Sequence, residues 1–212
     1  MLRPCVQAYN TPCKPTQTET FMNTALLVID IQNDYFPGGK IELEGALAAG
    51  QKAGALLQCF REHGGKHIHI QHESRRAGAT FFIPGTEGIR IHDCVAHFEG
   101  EPIVHKQYPN SFRETDLLEQ LKNWQIERVV ICGMMTHMCV DATVRAATDF
   151  GFQVIVVEDA CATRALTHAE TSVPAAHVQA AFLAAFKSYG TLMTMEEVIS
   201  KLGAEQANTR HP

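Results

Sequence analysis

The 212-residue chain is 45% hydrophobic and 19% charged, with a formal net charge of −5 at pH 7. That length suits one α/β domain with a sizeable core. Lys and Arg are scattered, which excludes a basic groove for nucleic acid and a basic amphipathic helix for a membrane surface. No apolar run approaches the roughly 18 residues that span a bilayer. Residues 1–20 are polar, carry Pro4, Pro12 and Pro15, and lack the apolar core of a secretory signal. Seven cysteines, an odd number without tight framework spacing, point to a reduced, cytoplasmic protein rather than a disulfide scaffold.

Residues 1–22 read as an extension, with the domain proper expected over 23–203 and a tail over 204–212. The apolar run at 25–30 predicts a buried strand. Residues 46–63 predict a helix that stops at Gly64-Gly65. A strand follows at 67–71, then a connection at 73–100 rich in Gly and Arg, and connections of that length are often functional. A short strand is expected at 102–105, and a helix at 115–124 with Thr115 as its cap. Further along come a strand at 129–132, a helix at 139–150, and a strand at 154–157. A helix at 174–186 opens on a proline, and a short strand near 191–193 and a helix at 195–202 close the pattern. Strands alternating with helices imply a parallel sheet covered on both faces, Rossmann-like in layering.

In such sheets ligands bind at the carboxyl ends of the strands. Asp30, Lys106 and Cys139 all fall there: Asp30 ends the predicted strand at 25–30, Lys106 follows the one at 102–105, and Cys139 follows the one at 129–132. Cys139 sits where a strand gives way to a helix, a place where free backbone N–H groups and the helix dipole favour an anion. A thiol there is expected to have a lowered pKa and to act as a nucleophile. The other reading is a buried core cysteine, since free Cys is among the most buried residue types.

Four segments taken together resemble the isochorismatase-like cysteine hydrolase superfamily, which includes nicotinamidases and N-carbamoylsarcosine amidohydrolase. They are DIQNDYFPGG at Asp30–Gly39, KQYPNSF at Lys106–Phe112, GMMTHMCVDATVRAA at Gly133–Ala147 and EDACAT at Glu158–Thr163. The resemblance covers about residues 24–202. It implies a three-layer α/β/α fold around a six-stranded parallel sheet. It places the family's catalytic triad on Asp30, Lys106 and Cys139, and a cis peptide between Met134 and Met135. It makes the backbone N–H groups of Met135 and Cys139 an oxyanion hole, with each donor worth about 3 kcal/mol in other enzymes. Cys139 would attack a carbonyl, expel an amine and leave a thioester. Asp30 would shuttle the proton, and Lys106 would favour both anions.

True isochorismatases cleave a vinyl ether and carry a small residue where this chain has Cys139, so the resemblance favours C–N hydrolysis of a small amide, urea or carbamoyl compound. A catalytically silent binding protein on the same fold is the remaining alternative. Nicotinamidases bind a metal through an Asp-x-His pair after the second strand. The matching stretch Gln71–Arg76 has none, and strand alternation sets His67 and His69 on one face and His72 on the other. No metal or other cofactor is therefore expected. Tyr35, Phe36, Phe82 and Phe112 flank the motifs as candidate pocket walls. His72 and His137 are each either substrate contacts or structural histidines. Asp141 and Arg145, four apart, read as a helix-face pair. The expected partners are a small-molecule substrate and further copies of the chain in a homo-oligomer, with segment 164–173 suited to a contact.

Overall fold

The computed structural model describes residues 23–201. The expected extension at 1–22 and the tail at 204–212 lie outside the described residues. The first strand, β1 (Thr24–Ile29), is buried along its whole length. Its side chains alternate between two apolar clusters: Leu26 and Val28 enter one, and Ala25, Leu27 and Ile29 the other. A strand buried on both faces needs an uninterrupted apolar run, which is how this one reads.

The remaining strands of the main sheet are β2 (Lys66–His72), β3 (Ile103–Lys106), β4 (Arg128–Met134), β5 (Gln153–Ala162) and β8 (Thr191–Met193). They pair in the order β3-β2-β1-β4-β5-β8, and every pairing is parallel. Helix α1 (Ala46–Glu62) covers one face with Leu56, Leu57 and Phe60, joined there by Val198 from a helical run at 195–201. Helices α2 (Leu117–Asn123), α3 (Asp141–Asp149) and α4 (Ala175–Phe186) cover the other with Leu117, Leu121, Val144, Ala147 and Phe186. This is the expected three-layer α/β/α arrangement. The chain leaves β1 toward β2 on one side and returns to β4 on the other, so the topological switch point lies beside β1.

Four local expectations differ from the structure. The N-cap position of α2 is Asp116, one residue later than expected and without a side-chain capping bond; the Thr115 hydroxyl still accepts from the N–H of Leu117 at 3.4 Å and donates to the carbonyl of Ser111 at 2.6 Å. Cys139 does not open an α-helix. It lies inside a turn of π-helix, Thr136–Val140, that precedes α3; such turns often occur at functional sites. Strand β5 runs well past Val157: the half-buried Glu158 and Asp159 interrupt its apolar signal at an irregularity where the pairing with β4 lapses after Val156 and resumes at Cys161. A small antiparallel hairpin, β6 (Leu166–His168) with β7 (Thr171–Val173), is almost wholly exposed and so carries no hydrophobic alternation to reveal it.

Candidate active site

Asp30 is the first residue beyond β1, in the left-handed region at φ 49°, with its N–H bonded to the carbonyl of Ile70 at 3.0 Å. Lys106 ends β3 in register with His72 at the end of β2. Cys139 arrives from β4 through the π-helical turn. That turn is pinned to β5 by the Thr136 hydroxyl, which donates to the carbonyl of Ala162 at 3.1 Å. Gly133 lets β4 pass the end of β1 closely: at φ 129°, a Cβ would lie 2.0 Å from the carbonyl oxygen of Ile29. The peptide bond between Met134 and Met135 is cis.

The structure brings the three sequence-predicted residues together and adds a fourth. Lys106 Nζ lies 2.7 Å from Asp30 Oδ2, 3.2 Å from Cys139 Sγ and 3.0 Å from His72 Nδ1. An ammonium has three protons and no lone pair, so all three are committed and His72 Nδ1 must accept. The Asp30 and Lys106 side chains are fully buried. Burial pulls the Lys106 pKa down, but Asp30 and the Cys139 sulfur push it up further, and the net shift is upward. Asp30 Oδ1 is buried without a hydrogen-bond partner among the described residues.

The expectation of an acidic thiol is not met. Burial first, and the Asp30 carboxylate second, raise the Cys139 pKa well above its ordinary value, with Lys106 opposing them. The cause is charge balance. One ammonium faces one carboxylate, and a thiolate formed beside an ionised Asp30 would set two anions against one cation in a dry site. Burial likewise pushes Cys161 up to about 12 and Cys94 up to about 11.

A cavity of about 420 Å³ opens onto Cys139, a size suited to a small molecule. Of the expected pocket residues, Tyr35, His72 and Phe82 line it, as does Met135, expected as an oxyanion-hole donor. Phe36 does not. It stacks on His92 at 3.6 Å between ring centroids and lines a separate hollow bounded by Gly38, Gly39 and Thr86. Phe112 also lies elsewhere, packed against Phe150 and Phe152 in the core cluster under α3. His137 is drawn toward β5 by a 2.5 Å contact between its Nδ1 and the Thr163 hydroxyl. Asp141 and Arg145 form the expected pair within α3, at 2.9 Å. Sequence reasoning missed Ser74, Arg76, Phe81, Tyr108 and Met138, which also line the cavity. All but Met138, which lies in the π-helical turn, sit in irregular segments with no periodicity to single them out.

The isochorismatase domain model matches residues 24–197. The chain belongs to the isochorismatase family. It is 49% identical over 176 residues to the uncharacterized isochorismatase family protein YddQ of Bacillus subtilis, covering 82% of this chain and 98% of that protein. It is 29% identical over 157 residues to maleamate amidohydrolase of Pseudomonas putida, covering 66% of this chain and 72% of that one. Among solved structures, a putative isochorismatase hydrolase from Oleispira antarctica superposes with a TM-score of 0.81 at 45% identity, over 86% of this chain and 98% of that one.

In this isochorismatase-family chain the histidines divide between the two ends of β2. His67 Nε2 lies 3.0 Å from Glu101 Oε1, and His69 Nε2 lies 3.4 Å from Oε2 without forming a hydrogen bond. Arg61 grips the same carboxylate through two bonds of 2.6 and 2.7 Å. Burial raises the Glu101 pKa, yet the bonds from Arg61, Phe98 N–H and His67 outweigh it and hold the carboxyl well below the usual range. His72 belongs to the cavity instead. The donor atoms of Asp30, His72 and Cys139 lie within 4.8 Å of one another, a spacing that could hold a metal ion. The Lys106 ammonium already lies within 3.2 Å of all three, so a cation stands among them.

Among the described residues no helix is long and apolar enough to cross a membrane. The described cysteines Cys59, Cys94, Cys132, Cys139 and Cys161 are all free thiols.

Proposed function

We propose that this isochorismatase-family hydrolase cleaves the C–N bond of a small amide, urea or carbamoyl compound through a thioester on Cys139. The observation that carries the reading is the Lys106 ammonium shared between Asp30 Oδ2 at 2.7 Å and Cys139 Sγ at 3.2 Å, with Cys139 lining a small-molecule cavity. A nucleophile, a base and a cation at these distances form a proton-transfer unit. The similarity to a maleamate amidohydrolase supports the same reaction type.

The chemistry follows from the charge balance. The resting site holds Asp30 as carboxylate, Lys106 as ammonium and Cys139 as thiol. As sulfur attacks the substrate carbonyl carbon, its proton passes to Asp30, so the number of negative charges in the buried site stays constant. The carbonyl oxygen becomes an oxyanion, for which the Met135 and Cys139 N–H groups serve as donors. The C–N bond breaks as Asp30 returns the proton to nitrogen, and ammonia or an amine leaves. Water, deprotonated by Asp30, then cleaves the thioester to a carboxylic acid and restores the thiol.

A screen of small amides, ureas and carbamoyl compounds for ammonia release tests this, with Cys139→Ala as control. The expected result is release by wild type only, with a mass increase on the Cys139 peptide equal to the acyl group after acid quench. Release by Cys139→Ala at the wild-type rate would refute the nucleophile.

A further inference from the structure

The cavity has two unlike walls. One is aromatic, built from Tyr35, Phe82, Phe81 and Tyr108. The other comes from one short segment at the end of β2 and just beyond it, and contributes His72, Ser74, Arg75 and Arg76. No Asp or Glu lines the cavity among the described residues, although the chain as a whole carries net charge −5.

The polarity of this second wall is fixed by the site beneath it. His72 Nδ1 faces the Lys106 ammonium at 3.0 Å. An ammonium can only donate, so the neutral ring must keep its proton on Nε2. The imidazole stays neutral, because burial lowers its pKa and Lys106 and Arg76 lower it further, with Asp30 and Glu73 opposing. His72 thus presents an N–H donor on its free edge. The Arg75 guanidinium is compensated, held by Glu73 at 2.6 and 2.9 Å. Arg76 is exposed and forms no ion pair among the described residues. A second cation, Arg164, is close enough to act on both Tyr35 and His137.

We propose that the segment 72–76 is a recognition wall for an anionic group, and that the substrate is an amide or carbamoyl compound carrying a carboxylate. This deepens, and rests on, the hydrolase reading above. The amide carbon sits over Cys139, the flat or apolar middle of the molecule lies along the aromatic wall, and the carboxylate takes the charge-assisted bonds that Arg76 and the His72 Nε2–H have free. Arg76 acts on specificity, because its charge is the one in the wall without a protein counter-ion.

The test compares succinamate with 4-oxopentanamide, which replaces the carboxylate by a methyl ketone of similar shape. Wild type is expected to favour succinamate in kcat/KM by about tenfold or more, the worth of one hydrogen bond to a charged group. The ratio should fall toward unity in Arg76→Gln and shrink as salt rises from low ionic strength. It should hold in Arg90→Gln, which removes a positive charge outside the cavity. Equal rates on both amides by wild type would overturn the carboxylate assignment while leaving the hydrolase reading intact. If neither amide is turned over, binding decides. Succinate binding about tenfold more tightly than neutral succinamide by calorimetry, and losing that margin in Arg76→Gln, supports the wall. Equal binding overturns it.

Discussion

Lys106→Met removes the one buried cation of the site. Asp30 Oδ2 then loses its only hydrogen-bond partner among the described residues, and Oδ1 has none already. The result is a buried carboxylate with no cation beside it and the neutral Cys139 thiol as a neighbour. Breaking a buried pair in this way destabilises by about 3–5 kcal/mol. For a domain of this size, 1 kcal/mol moves Tm by about 2–4 °C, so Lys106→Met should melt roughly 6–20 °C below wild type. The cost belongs to the uncompensated charge, not to lost packing, since Met fills much of the lysine stem. Adding Asp30→Asn should therefore recover most of the loss, leaving Asp30→Asn/Lys106→Met more stable than Lys106→Met alone. Neither variant should hydrolyse a substrate of the wild-type enzyme above about one hundredth of its rate, given the usual worth of a preorganised charge at a reaction centre. Urea unfolding followed by circular dichroism, with ammonia release as the activity assay, measures all of this. A Lys106→Met protein within about 1 kcal/mol of wild type, or a double variant less stable than the single, would refute the buried-charge argument.

The resting thiol should be protonated at neutral pH: the ultraviolet thiolate absorbance of wild type minus Cys139→Ser is expected to be nil at pH 7, and a signal there would contradict the charge balance. Hydrolytic activity should survive prolonged dialysis against a chelator, because an ammonium stands among Asp30, His72 and Cys139; activity lost and then restored by added zinc or manganese would show otherwise. Stability should fall in acid through His69. Burial lowers its pKa from 6.5 to about 4, against Glu101, so the unfolded chain binds a proton that the native ring refuses. The penalty is absent above pH 6.5 and grows by about 1.4 kcal/mol per pH unit as pH falls toward 4. His69→Gln should flatten that slope in urea titrations, and an unchanged slope would exclude His69 as its source. Gly133→Ala should yield little folded protein by circular dichroism, since its Cβ would press on the Ile29 carbonyl oxygen; a wild-type melting curve would show that β1 and β4 can part at no cost.

The layers and the order of the elements along the chain were legible from the residues alone. Strands such as Thr24–Ile29 are buried on both faces, and a strand in that setting must be apolar without interruption, so its location is written in composition. The convergence of Asp30, Lys106 and Cys139 was legible because each ends or follows a strand, and parallel strands deliver their carboxyl ends to one edge. Whatever depended on facing rather than spacing was decided by the tertiary structure. Phe36 and Phe112 sit beside the motifs in sequence yet turn to His92 and to Phe150, because a loop has no period to set its direction. Tyr108 and Arg76 reach the cavity by the same freedom. The state of Cys139 was the deepest of these. A strand-to-helix junction favours a thiolate, but the junction proved to be a buried π-helical turn beside a carboxylate. Desolvation and a neighbouring charge depend on three-dimensional surroundings, and here they outweigh the local backbone dipole that the sequence could show.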